Sequence, residues 1–106
     1  MTNDNRRKHT RVAVDLDGTL VGSDGKEFTC QIINLSVGGA LVAAESDVAV
    51  GDAVSLHCCL GRPKETIAAQ ATVRWISGAT QGIQFMPMGA RETYFLTEFL
   101  AKQQKS

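Results

Sequence analysis

The stretch from residue 6 to residue 11 reads RRKHTR and concentrates positive charge. It holds four fixed cations and a histidine, and it contains no acidic residue. The whole chain is neutral, with eleven Lys and Arg against eleven Asp and Glu. A local basic segment on a neutral chain indicates one anionic ligand rather than a general DNA- or RNA-binding surface. Arginine suits such a ligand because its planar guanidinium matches phosphate oxygens with two hydrogen bonds.

Two aspartates lie two positions apart in VAVDLDGTLV, residues 12–21. This string resembles the first motif of the haloacid-dehalogenase-like phosphatases, and that resemblance implies that Asp15 attacks a phosphoryl group. Such a fold needs a parallel sheet with helical crossovers, and no helical period appears before residue 88. Residues at i and i+2 also share the solvent face of an antiparallel strand. We therefore interpret Asp15 and Asp17 as exposed polar residues, with a bulge or bend at Asp17-Gly18.

Short segments of alternating apolar and polar residues indicate a mainly β chain. Turn signals such as Ser23-Asp24-Gly25 separate them. The predicted strands cover residues 11–21, 26–35, 40–45, 53–60, 66–76 and 82–86. Repeated short strands of this kind are typical of an antiparallel barrel or sandwich. A chain of 106 residues forms one domain, which we place at residues 6–103 after a disordered tail at residues 1–5.

After Pro87 the apolar period changes from that of a strand to that of a helix. Over residues 90–103 this pattern predicts an amphipathic helix whose apolar stripe is Phe95, Leu96, Phe99 and Leu100. The stripe is expected to cover an open side of the barrel, and a dimer contact is the alternative. Trp75 shares the alternating face of the fifth predicted strand, so it is expected to pack in the core or at its rim rather than to serve as a stacking platform. A position at the rim would still let it touch a ligand.

Two motifs follow each other along the chain. Residues 7–11 form Arg-x-x-x-Arg at the entrance to the first strand, and residues 34–39 form Asn-x-Ser-x-x-Gly between the second and third strands. In this order and spacing they resemble the PilZ domain, the bacterial receptor module for cyclic di-GMP. The segments VGD (50–52), TVRW (72–75) and GIQF (82–85) are also similar to that family. The resemblance covers about residues 6–100 and implies a six-stranded antiparallel PilZ-like β-barrel with a C-terminal α-helix.

The resemblance also implies a binding site. Its residues are Arg6, Arg7, Arg11, Asn34, Ser36, Gly38 and Gly39. A guanidinium can form two hydrogen bonds with O6 and N7 of guanine, and it can also bind phosphate. The resemblance implies that Asn34 and Ser36 hydrogen-bond the other edges of the base. Asn34 stands where many members have aspartate, and an uncharged amide should hold guanine N1–H and N2–H more weakly. Gly39 lets the backbone approach the ligand closely. Arg6 adds a third guanidinium, which favours two cyclic di-GMP molecules per chain.

The function implied by the resemblance is that of a receptor or adaptor rather than an enzyme. Residues 5–11 would fold over cyclic di-GMP and create a new face for an unidentified protein partner. We expect a monomer or weak homodimer in the bacterial cytoplasm, with no metal or cofactor. The alternatives are a PilZ-like interaction domain without nucleotide binding and a phosphatase that uses Asp15.

The three cysteines, Cys30, Cys58 and Cys59, fit neither a disulfide framework nor a Cys-x-x-Cys metal site. Free thiols in a reducing cytoplasm are the simplest interpretation. No apolar run approaches the roughly 18 residues that a membrane-spanning helix needs, and the polar N-terminal residues do not form a signal peptide. We therefore expect no membrane insertion.

Overall fold

A computed structural model describes residues 12–60 and 66–104. It contains six strands and one helix: β1 (Val12–Gly22), β2 (Glu27–Leu35), β3 (Gly39–Ala44), β4 (Ala53–Cys59), β5 (Thr66–Ser77), β6 (Thr80–Phe85) and α1 (Ala90–Gln104). The predicted elements are confirmed, and each observed end lies within two residues of the predicted one. The predicted tail at residues 1–5 lies outside the described residues, and so do Arg6, Arg7 and Arg11.

The six strands form a closed barrel in the order β1-β2-β3-β6-β5-β4, and every pair is antiparallel. Closure occurs because β1 pairs with β2 on one side and with β4 on the other. The predicted turn between β1 and β2 is also present. There Asp24 Oδ1 accepts a hydrogen bond from the backbone N–H of Lys26 at 3.1 Å, and Gly25 takes a φ of +89° that other residues disfavour.

The core fills the interior of the barrel with alternate residues from the strands. Leu20, Ile32, Leu56 and Val73 are among the largest fully buried side chains. Each such side chain contributes roughly 1.5–3 kcal/mol when it leaves water. Alternation along the strands therefore determines which residues stabilise the barrel and which face outward.

The helix α1 packs against β5 and β1 and extends this core. Leu96 and Leu100 are buried in the same cluster as the barrel interior, and Phe95 and Phe99 are half-buried against it. The predicted apolar stripe therefore covers the barrel. No helix among the described residues has the length and apolar character needed to cross a membrane.

Candidate functional site

The connection between β2 and β3 is organised by the side chain of Ser36. Its hydroxyl accepts hydrogen bonds from the backbone N–H groups of Gly38 and Gly39, both at 3.1 Å. The same hydroxyl donates to the Gly39 carbonyl at 3.3 Å, and the Ser36 N–H donates to that carbonyl at 2.8 Å. Ser36 is only 5% exposed. Its hydroxyl thus satisfies backbone donors that burial would otherwise leave unpaired.

This connection is also attached to β6. The N–H of Phe85 donates to the Gly38 carbonyl at 2.8 Å, and Gly39 pairs with Gln84 in the sheet. A Cβ built on Gly39 would collide with the carbonyl oxygen of Ile83. Position 39 therefore needs a glycine because the backbones of β3 and β6 pack closely there, and this reason does not depend on a ligand.

Five strands bring one row of residues to the outer surface of the barrel. The pairing runs from Ala13 in β1 to Asn34 in β2, Leu41 in β3, Gly82 in β6 and Trp75 in β5. Asn34 is half-buried in this row. The side chains in the row belong to one surface because antiparallel partners point to the same side of a sheet.

A cavity of about 920 Å³ opens beside this row, and we call it the loop cavity. Its lining residues come from the 36–39 connection, β5, β6, the segment before α1 and α1 itself. They include Ser36, Gly38, Gly39, Arg74, Trp75 and Gln84. The volume lies within the range of small-molecule sites. The structure thus brings three of the predicted site residues together at one cavity, whereas Asn34 lies in the adjoining row and is not part of its lining.

Trp75 does not lie in the core, which was one of its two predicted positions. The sheet register shifts between Val73 and Trp75, so an extra residue in β5 reverses the alternation. Val73 is fully buried, whereas Trp75 is 43% exposed and lines the loop cavity. The prediction that Trp75 continues the buried face is therefore wrong, because the sequence pattern carries no sign of the bulge.

Arg74 is a cavity residue that the sequence interpretation missed. It occupies the bulge in β5, is exposed, and is the one charged residue among the described residues that line the loop cavity. A guanidinium here favours an anionic ligand. The segment TVRW contains this arginine, but its place at the cavity could be predicted only with knowledge of the bulge in β5.

A second cavity of about 540 Å³ lies where α1 meets β1, β4 and β5. Its lining mixes both signs of charge, with Asp17 and Glu92 beside Arg91. Carboxylates repel phosphate, so this cavity suits a dianionic nucleotide less well than the loop cavity does.

Asp15 and Asp17 are exposed on the outer face of β1, as predicted. The side-chain amide of Gln31 donates a hydrogen bond to Asp15. The expected irregularity at Asp17-Gly18 is wrong, since the register of β1 shifts between Ala13 and Leu16 instead. An antiparallel barrel without a helical crossover after β1 also lacks the arrangement that the phosphatase alternative requires.

Cys30 and Cys58 are buried inside the barrel, and Cys59 is exposed. All three are free thiols, as predicted. Burial raises the pKa of Cys58 to about 12, with smaller contributions from Cys30 and Cys59. Burial, followed by the charge of Asp17, raises the pKa of Cys30 to about 11. Among the described residues, no cluster of His, Cys, Asp and Glu could hold a metal ion.

Comparisons with known proteins agree with this architecture. The PilZ domain profile matches residues 5–102 of the chain. The chain therefore belongs to the PilZ family, as its two motifs predicted. No curated protein matches the sequence closely enough to be counted as a relative.

Several solved structures share the fold. The PilZ domain with c-di-GMP of YcgR from Escherichia coli has a TM-score of 0.77 and 14% identity, over 94% of this chain and 92% of that one. The Bacillus subtilis inhibitor of motility MotI/DgrA has a TM-score of 0.79 and 21% identity, over 94% of this chain and 51% of that one. PlzA of Borreliella burgdorferi, in complex with c-di-GMP, has a TM-score of 0.67 and 20% identity, over 92% of this chain and 42% of that one.

Proposed function

We propose that this chain is a cyclic di-GMP receptor that binds its ligand at the loop cavity. The main observation behind the proposal is that the 36–39 connection is hydrogen-bonded to β6 at the edge of the loop cavity. Among the described residues that line this cavity, Arg74 is the one that carries a charge, and the charge is positive. That connection is the second of the two PilZ motifs. YcgR and PlzA, which share the fold, are solved with c-di-GMP.

The chemistry of the ligand supports this assignment. Cyclic di-GMP carries two phosphates and two guanines, so it requires cations and edge-specific hydrogen bonds. Arg7 and Arg11 supply guanidinium groups for phosphate and for guanine O6 and N7, and Arg74 adds a further guanidinium at the cavity. Asn34 binds the remaining guanine edge. Ser36 acts chiefly by shaping the connection, since its hydroxyl already bonds to the backbone of Gly38 and Gly39.

The output is a change of surface rather than a reaction. Residues 5–11 fold over the ligand, and the domain at residues 6–103 then presents a new face to a protein partner in the bacterial cytoplasm. The nucleotide should be recovered chemically unchanged after incubation with the protein. Hydrolysis of cyclic di-GMP would contradict the receptor assignment.

Titration calorimetry with cyclic di-GMP tests the proposal, with GMP and cyclic di-AMP as ligand controls. Arg7→Ala and Arg11→Ala should each weaken binding by about 1–3 kcal/mol, the worth of a bidentate contact. Arg91→Ala removes a guanidinium on α1 and should leave the affinity unchanged. Tight binding by the Arg7→Ala/Arg11→Ala double variant would overturn the site. Absence of binding by the unaltered protein would favour a PilZ-like interaction domain without nucleotide binding.

The same titrations give the stoichiometry. We propose two cyclic di-GMP molecules per chain, because a pair of ligands carries twice the phosphate charge and Arg6 adds a third guanidinium next to the Arg-x-x-x-Arg motif. Arg6→Leu should lower the count toward one while binding persists. The unaltered protein could instead bind one molecule, with Arg6→Leu changing only the salt-sensitive part of the affinity. Arg6 would then only attract the ligand electrostatically, a contribution of about 0–1 kcal/mol to binding.

A further inference from the structure

The tryptophan of the loop cavity rests on a glycine of the neighbouring strand. Gly82 in β6 pairs with Trp75 in β5, and both belong to the outer row described above. If Gly82 carried a Cβ, its three nearest neighbours would be Nε1, Cε2 and Cδ1 of Trp75, all three closer than such contacts allow. These atoms belong to the five-membered ring, so the indole occupies the space where a side chain at position 82 would lie.

The indole that covers Gly82 also lines the loop cavity. Gly82 is buried although it lies on the outer surface, whereas Trp75 is 43% exposed and lines the loop cavity together with the 36–39 connection. The indole is therefore held against β6 on one side and remains accessible on the other. Nucleotide bases stack on accessible aromatic rings, and such stacking depends on the relative position of the two rings.

We propose that Gly82 is a positioning residue for nucleotide binding, because its missing side chain lets the Trp75 indole lie where it forms a wall of the site. This inference rests on the proposed cyclic di-GMP function and extends it to a residue outside the two motifs. A methyl group at position 82 would push the ring off β6. The obstructing atoms belong to a side chain and not to the backbone, so the indole rather than the strand is the part that must shift.

The alternative is that the pair only stabilises the barrel, as aromatic side chains do when they cover glycines in sheets. A double-mutant cycle on binding separates the two roles. Calorimetry with cyclic di-GMP should show that Gly82→Ala and Trp75→Ala each weaken binding about tenfold, the worth of one stacked base. The double variant should bind no more weakly than Trp75→Ala. Gly22→Ala is the matched control, since the nearest neighbour of a Cβ there is Asp24 Oδ1 at 3.1 Å and Gly22 does not line the cavity.

Fluorescence provides a readout without ligand, because Trp75 is the single tryptophan of the chain. Gly82→Ala should shift the indole emission, whereas Gly22→Ala should leave it unchanged. Binding by Gly82→Ala equal to that of the unaltered protein would overturn the proposal, and so would additive losses in the double variant. If Gly82→Ala fails to fold, Trp75→Ala alone decides, since unchanged affinity there overturns the proposal. Absence of binding by the unaltered protein would instead refute the proposed function and this inference with it.

Discussion

Ser36 and Gly39 are joined by three hydrogen bonds across the connection from β2 to β3. The Ser36 N–H donates to the Gly39 carbonyl, the Gly39 N–H donates to the Ser36 hydroxyl, and that hydroxyl donates to the same carbonyl. Gly39 in turn lies against the backbone of β6. The hydrogen bonds within the second motif, residues 34–39, therefore hold one wall of the loop cavity in place.

Replacing Ser36 by alanine should lower the free energy of unfolding by about 1–3 kcal/mol. The reason is that the buried N–H group of Gly39 and the half-buried N–H group of Gly38 lose their acceptor. Urea unfolding measures this change. Ser77→Ala is the control, since that serine is exposed at the end of β5 and its loss should cost less than about 0.5 kcal/mol. Unchanged stability with weakened cyclic di-GMP binding would show that Ser36 acts on the ligand directly instead.

Gly39→Ala should destabilise the barrel by about 1–3 kcal/mol, the usual cost of overpacking. The added Cβ meets the carbonyl oxygen of Ile83, a backbone atom of a paired strand that cannot move aside cheaply. Thermal unfolding followed by circular dichroism measures the loss. Gly22→Ala should change the melting temperature much less, because the nearest neighbour of its Cβ is a side-chain atom of Asp24 at 3.1 Å and no backbone atom lies as close. Equal melting temperatures for the two variants would contradict the close approach of β3 to β6.

The buried thiols should make the protein less stable at alkaline pH. In the folded chain the pKa of Cys58 is raised to about 12, whereas its ordinary value is 9.0. Between these values the unfolded chain binds fewer protons than the folded one. The contribution of the protonated Cys58 thiol to the free energy of unfolding is therefore fully present below pH 9. It is lost as the pH rises toward 12, by up to about 1.4 kcal/mol per pH unit.

Urea unfolding at pH 7.5 and pH 10 measures this loss. Cys58→Ala should shrink the difference between the two pH values relative to the unaltered protein, because one buried thiol no longer ionises on unfolding. An identical difference in both proteins would show that Cys58 does not cause the alkaline loss.

A thiol reagent should label one of the three cysteines in the folded protein. Cys59 is exposed, whereas Cys30 and Cys58 are buried and their thiols have raised pKa values. The thiolate is the reacting form, so burial and the raised pKa protect both interior residues. Titration with dithionitrobenzoate at pH 8 counts reactive thiols, and all three should react in guanidinium chloride. Rapid labelling of more than one thiol without denaturant would mean that the barrel opens readily.

Asp15→Asn and Asp17→Asn should leave cyclic di-GMP binding within about twofold of the unaltered protein. Both carboxylates lie on the exposed face of β1, and neither belongs to the lining of the loop cavity. An assay with p-nitrophenyl phosphate and magnesium checks the phosphatase alternative at the same time. Turnover by the unaltered protein that disappears in Asp15→Asn would overturn the receptor assignment.

Much of the fold follows from the local pattern of the sequence. Alternation placed Leu56 and Val73 inside the barrel, and the change of period after Pro87 located α1. Such patterns are readable because side chains alternate along a strand and recur every 3.6 residues along a helix. The two motifs likewise identified the family, since residue types and spacing are properties of the sequence itself.

The arrangement of the site depended on pairing between distant segments. The bulge that turns Trp75 outward, and leaves Arg74 at the cavity, arises where β5 meets β6 in the closed barrel. The collision at Gly39 likewise exists only because β3 lies beside β6. Sequence alone determined which residue types were available for an anionic ligand. Tertiary structure decided which of them share a surface, because strand register and barrel closure depend on contacts between residues far apart in the chain.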